Sequence, residues 1–260
     1  MPARFRRDVI AERRESTMEH LDMPTGALER TPVFRDLPPA TRAALAAGSR
    51  AREVSRNALV FDEGDTCRWV YVLESGRVSC YRANADGREQ ILRVFERPGD
   101  TFCIASAFST GIHIVSARSA TRTRLLVLDV LTVKRVAEEH PAFAVSLLGA
   151  AGQQMSTLVE LAESLALKTA TARLAKLLYQ LALGEGAPAG RDILVRRDRL
   201  REEEIAPLLG VVRVHVSRSF RNLAERGVIS LTREAVRIPD LDLLKEVFDG
   251  NVIARRRCTT

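Results

Sequence analysis

A chain of 260 residues with 46% hydrophobic content can fill one large domain or two ordinary ones with real cores, which excludes a disordered polypeptide. Forty Lys and Arg against 33 Asp and Glu give a formal charge of +7, a balance that favours a polyanionic partner. Four cysteines, Cys67, Cys80, Cys103 and Cys258, form no Cys-x-x-Cys pair, so neither a zinc knuckle nor a disulfide framework is expected, and a reducing cytoplasm is the expected compartment.

Residues 1–30 mix acids and bases around few apolar positions and read as a mobile N-terminal arm; the opening MPARFRRDVIAERRES has no apolar core, so a secretory signal is not expected there. From 31 to 138 the texture changes to short β-branched and aromatic runs punctuated by glycine: NALVFDEGD, RWVYVLESG, RVSCYRANADG, REQILRVFERPGD and ARSATRTRLLVLD. Such runs, separated by turns in which glycine supplies positive φ, predict an antiparallel β-roll.

Helical periodicity takes over at residues 139–168. Leu147, Ala151, Gln154, Leu158, Leu161 and Leu165 step by four and three, the spacing of a coiled-coil seam, and predict a dimerisation helix with Gln154 selecting register. Packing of that face on the chain's own β-domain is the alternative. Residues 140–159 carry no charge but include His, Pro, Gly, Gln and Ser, too polar for an expected membrane span. A second helix, TARLAKLLYQLAL, ends at Gly184, and GEGAPAG reads as a loop.

Residues 169–250 are expected to form a winged helix-turn-helix, followed by a basic tail at 251–260. In REEEIAPLLGVVRVHVSRSFRNLAER, Ile205, Leu208 and Leu209 face Val216, Phe220 and Leu223 across a turn at Gly210. The opposite face of the second helix carries Arg213, Val214, His215, Ser217, Arg218 and Arg221, with no acid between Glu204 and Glu225. Arginine there can donate twice to guanine or neutralise phosphate, so this is the predicted contact with double-stranded DNA. VISLTREAVRIPD alternates as two strands about Thr232-Arg233, a wing. Two features cost stability: Val212 cannot cap the second helix, and Pro207 requires the first to start late, near Glu203 or Glu204. With four histidines, at 20, 113, 140 and 215, and no nucleophile-base constellation or phosphate loop, no enzyme is expected.

The expected fold class is therefore α+β: an N-terminal antiparallel β-roll, a long dimerisation helix and a C-terminal winged helix-turn-helix. In that order, the glycines of DEGD, ESGRV, ADGRE and RPGD, the TARLAKLL helix and EEIAPLLGVVRVHVSRSFRNLAERGVI resemble the Crp/Fnr family of bacterial transcription regulators over roughly residues 31–247. The resemblance implies a cyclic-nucleotide-binding-like roll and a homodimer on a twofold-symmetric DNA site, with RNA polymerase as a further partner for an activator. It also implies a phosphate or base contact for Arg213, guanine reading for Arg218, and a family serine at Ser217. Val214 replaces a frequent glutamate and cannot accept a hydrogen bond from cytosine.

The same resemblance locates an effector region at Phe102, Cys103, Ile104 and His113, with Leu158 and Val159 on the long helix. Cys103, Ile104 and Ala105 stand where the cyclic AMP-binding branch has Gly-Glu-Leu, and His113 and Ile114 approximately where it has Arg-Ser. Without those charges, a cyclic nucleotide held in the usual mode is not expected. An iron-sulfur cluster is not expected, because residues 1–66 contain no cysteine. Three readings stay open: haem held by His113 or Cys103, another organic ligand, or a roll that binds none. A different class of function, a regulatory module acting on a protein partner through its roll, remains the alternative to DNA binding.

Overall fold

A computed structural model describes residues 26–184, 193–197 and 200–250; the arm expected at its first 25 positions and the basic tail from residue 251 lie outside the described residues. The chain divides into two compact units, Met1–Arg82 with Leu92–Thr157, and Ala83–Ile91 with Leu158–Thr260.

The roll is built on strands β1 (Arg50–Val54), β2 (Leu59–Phe61), β3 (Trp69–Ser75), β4 (Val78–Ala83), β5 (Glu89–Phe95), β6 (Thr101–Phe102), β7 (Ser116–Ser119) and β8 (Thr123–Asp129), all within the first unit except Ala83 and the first three residues of β5. They form two four-stranded sheets ordered β1-β8-β3-β6 and β2-β7-β4-β5, with antiparallel ladders such as Arg50 to Val127 and Val78 to Ser119. The roll is as expected. Its turns sit at glycines with positive φ, and Gly76 is obligatory: a Cβ there would lie 2.6 Å from the Arg122 carbonyl and 2.7 Å from Thr123 Cα.

The runs VYVL of β3 and LLVL of β8 are continuous rather than alternating because their sheet is covered on both faces. Tyr71, Leu73, Leu125 and Val127 join Phe61, Phe95 and Phe102 between the sheets. Val70, Val72, Leu126 and Leu128 point to the opposite face, under helices. Those helices are α1 (Gly26–Arg30), α2 (Pro39–Ala47), α4 (Val130–Glu139) and the first turns of α5 (Pro141–Leu167); a short α3 (Ile104–Phe108) follows β6. Phe34 and Phe143 pack with ring centroids 5.3 Å apart, and each such buried ring contributes about 1.5–3 kcal/mol. Leu28, within the stretch read as a mobile arm, is part of this core.

The long helix departs from expectation in the face it presents. Leu147 is buried among the residues of the first core, and Gln154 donates to the Thr101 carbonyl at 3.3 Å. Ala151 is partly buried too. Over these turns the predicted seam packs on the chain's own roll, the alternative left open above. Further along, Leu158 is 43% exposed while Leu161 and Leu165 are partly buried. The outward face instead carries Val145, Leu148, Gly152, Met155, Val159, Ala162 and Ala166, again stepping three and four, all exposed, with Leu148 at 72%. Heptad spacing could not separate two parallel apolar stripes on one helix. By length and composition α5 is also long and apolar enough to cross a membrane, its His, Pro, Gly, Gln and Ser notwithstanding.

The second unit packs α6 (Ala170–Gly184), α7 (Glu202–Leu209), α8 (Arg213–Glu225) and α9 (Leu241–Asp249) with a small sheet of β9 (Ile193–Arg196), β10 (Ser230–Leu231) and β11 (Ala235–Ile238), ordered β10-β11-β9. Leu174, Leu178, Ile205, Val216, Phe220, Leu223, Val236 and Leu244 fill its centre. Pro207 lies inside α7, which starts at Glu202, earlier than expected; the proline costs the helix one backbone hydrogen bond. Arg173 caps the end of α5 by donating through Nη1 to the carbonyls of Ser164, Leu165 and Lys168 at 3.3, 3.2 and 3.1 Å.

Candidate nucleic-acid interface and effector region

Gly210, in the left-handed region at φ 65°, ends α7 and turns the chain into α8. Val212 stands at the start of α8 and supplies no side-chain cap, as its hydrocarbon requires; its carbonyl accepts from the His215 amide at 2.9 Å. Val216, Ser219, Phe220 and Leu223 bury one face of α8. Arg213, Val214, His215, Arg218 and Arg221 occupy the exposed face. Arg213 reaches Glu203 only at 4.0 Å, an exposed pair of little energetic weight.

Ser217 differs from its neighbours. It is half-buried and donates its hydroxyl to Glu202 Oε1 on α7. The structure therefore brings five of the six predicted contact residues to the exposed face of one helix and gives the sixth an internal partner. The wing forms as expected, its turn tied by Thr232, whose Oγ1 accepts from the Ala235 amide at 3.0 Å and donates to the Ala235 carbonyl at 2.9 Å. Arg233 stands exposed at its tip. Strand β9 and helix α9 escaped the sequence analysis, although Asp240, which caps α9 by accepting from the Asp242 amide at 2.9 Å, and Gly250 at φ 91° bracket α9 clearly.

In the roll, Phe102, Ile104 and His113 are buried and Cys103 partly so. Phe102 lies in the core between the sheets and Ile104 in the core under the helices. Leu158 and Val159 belong to the second unit and are exposed. Cys103 and His113 meet: Cys103 Sγ is 3.7 Å from His113 Nδ1. Cys67, which the sequence analysis left isolated, joins them, so that both sulfurs and a ring nitrogen of His113 lie within 4.8 Å of one another. The three residues thus form a spatial cluster that their spacing along the chain does not show. The cause is a long-range bridge between Thr66 and Ile112, flanked by hydrogen bonds from Cys67 N to Gly111 O at 2.8 Å and from His113 N to Asp65 O at 2.9 Å.

His113 stacks on Phe61 with centroids 3.8 Å apart and an interplanar angle of 10°. Hydrogen bonding from Cys103, opposed by burial and reinforced by His113, lowers the Cys67 thiol to about 5. Burial, with the hydrogen bond to Cys67, pushes the Cys103 thiol up. The three donor atoms converge on one point.

A basic, outward-facing second helix behind a tight turn, with a wing beside it, defines a DNA-binding transcription regulator, here in one chain with an antiparallel β-roll. Residues 51–140 match the cyclic nucleotide-binding domain, and residues 172–247 the Crp-like helix-turn-helix domain. The chain is 30% identical over 217 residues to the CRP-like cAMP-activated global transcriptional regulator of Mycobacterium tuberculosis, spanning 84% of this chain and 96% of that protein. It is 26% identical over 223 residues to the cyclic AMP receptor protein of Thermus thermophilus, spanning 86% and 99%. Among solved structures, a transcriptional regulator of the Crp/Fnr family from Eubacterium rectale superposes with a TM-score of 0.68 at 19% identity, covering 84% of this chain and 98% of that one. The chain belongs to the Crp/Fnr family of transcription regulators, whose members here are regulators and not enzymes.

Proposed function

We propose that the protein is a cytoplasmic homodimer that binds a specific, twofold-symmetric DNA site and controls transcription there, with RNA polymerase as its partner where it activates. The observation that carries this reading is the exposed row Arg213, Val214, His215, Arg218 and Arg221 on α8, a cationic surface at the end of a helix of groove-reading size. Arg218 reads guanine, Arg213 and Arg221 hold phosphate, and Val214 offers a methyl surface suited to thymine. The exposed heptad stripe of α5 from Val145 to Ala166 supports a coiled-coil partner helix from a second copy.

The roll's effector is not a cyclic nucleotide bound in the usual mode. Cys103, Ile104 and Ala105 stand where the cyclic AMP-binding branch has its ribose-binding glutamate, and the approximate place of its phosphate-binding arginine is taken by His113, packed in the core against Phe61. A desolvated phosphodiester there would lack the paired cation that its burial requires. Selection of bound sequences from a random double-stranded DNA pool tests the whole reading. Enrichment of an inverted repeat with half-sites one helical turn apart is the expected result, and recovery of no preferred sequence would overturn it.

A further inference from the structure

We propose that Cys67, Cys103 and His113 form a binding site in the roll for a thiophilic d10 cation, zinc being the ion argued for here. The three donors come from different parts of the chain: the segment before β3, the residue between β6 and α3, and the segment before β7. They nevertheless converge within 4.8 Å. In a tetrahedral zinc site with Zn–S of about 2.3 Å and Zn–N of about 2.0–2.1 Å, sulfur and nitrogen ligands stand about 3.6 Å apart. Cys103 Sγ and His113 Nδ1 are 3.7 Å apart. Two thiolates and an imidazole are the ligand set that prefers zinc or copper(I) to the hard cations.

The surroundings hold this set in place. The His113 ring is fixed by its stack on Phe61, which fixes the direction of its nitrogen. Cys67 is pinned through its amide to Gly111 and lies with its sulfur 3.8 Å from the Trp69 carbonyl. Cys103 adopts φ 72°, one of two non-glycine residues described with positive φ. That conformation is strained for a residue with a Cβ and persists where the surrounding structure demands it. At Cys103 it sets the thiol's position relative to the other two donors. Binding replaces the thiol protons of Cys67 and Cys103, which pass to solvent, and three protein ligands leave a fourth position for water or a small molecule. The site depends neither on dimerisation nor on DNA contact, so it stands or falls apart from the DNA-binding reading.

The test is a cobalt(II) titration of the full-length protein, reduced and stripped with a chelator under anaerobic conditions. The expected result is one equivalent bound, with thiolate-to-cobalt charge-transfer absorption that one equivalent of zinc(II) abolishes. Cys80→Ser retains the band, while Cys67→Ser and Cys103→Ser lose it and weaken zinc by more than about 100-fold, since even an outer-shell change costs 10–100-fold. Because buried substitutions can impair folding, the native protein is also alkylated with and without zinc and the modified thiols mapped. Zinc protection of Cys67 and Cys103 together supports the site. Absence of the band in the native protein, protection centred on Cys258, or a Cys67–Cys103 disulfide that forms while cobalt is ignored would each overturn it.

Discussion

Ser217 on α8 donates its hydroxyl to the carboxylate of Glu202, tying α8 to the first turn of α7. A hydroxyl so engaged holds the two helices of the motif in register. Ser217→Ala should lower stability by about 1 kcal/mol, at the lower end for a charge-assisted bond because the pair is partly solvated. Urea unfolding of the variant checks this, and the preferred DNA sequence should be unchanged.

Arg218→Ala should cost about 1–3 kcal/mol of specific binding and relax preference at a single base position in each half-site. Arg221→Ala should instead weaken binding evenly across sequences and reduce the slope of log affinity against log salt by about 1 per half-site contact. Salt titrations of both variants on the selected site and on a scrambled one distinguish these outcomes.

The outward stripe of α5 leads to a prediction of assembly. Leu148 and Met155 are exposed and two turns apart on that stripe. Leu148→Asp with Met155→Asp should give a folded monomer in sedimentation, whereas Leu147→Asp, whose side chain is buried in the first unit's core, should lower folding stability by several kcal/mol through the unpaired buried charge.

Burial, only partly offset by Arg93, pushes the Cys80 thiol up to about 12. In the unfolded chain it titrates near 8.5. The native thiol therefore stays protonated while the unfolded one ionises, so the unfolded state loses protons first and this residue's contribution to stability falls as pH rises from about 8.5 towards 12. At neutral pH Cys80 should resist iodoacetamide until denaturant is added. Mass mapping of alkylated peptides checks the reactivity, and thermal melts of native protein and Cys80→Ala at pH 7 and pH 10 check the sign.

Arg173 holds three carbonyls at the end of α5 with one nitrogen, and removing it leaves them without that donor. Arg173→Ala should cost about 1–3 kcal/mol and raise hydrogen exchange at Leu165, Ala166, Leu167 and Lys168 well above the rest of the second unit. Arg173→Lys should recover only part, because the ammonium lacks the planar fork.

The roll's glycine turns, the helix-turn-helix and its wing were legible because each rests on local chemistry: positive φ at Gly76 and Gly210, helical spacing from Val216 to Leu223, and alternation about Thr232. Three features were not. The inward face of α5 is one, because both apolar stripes obey the same period and only tertiary contact shows that Leu147 faces inward. The alliance of Cys67 with Cys103 and His113 spans 36 and 46 residues and depends on the register of a single bridge, Thr66 to Ile112, for which no local pattern exists. The hydroxyl of Ser217 lies at a helical position that suits either DNA or α7, and the choice rests on where Glu202 falls.

Asp129 performs two tasks with no residue between them. It pairs with Trp69 as the last rung of β8 against β3, and its side chain accepts from the Thr132 amide at 2.9 Å to start α4 at Val130. Val130 in turn donates to the Arg68 carbonyl at 3.0 Å. A loop would absorb a change of strand twist, but this junction has none. The end of β8, the start of α4 and the Arg68 carbonyl are therefore joined through two consecutive residues, Asp129 and Val130, with no slack between strand and helix.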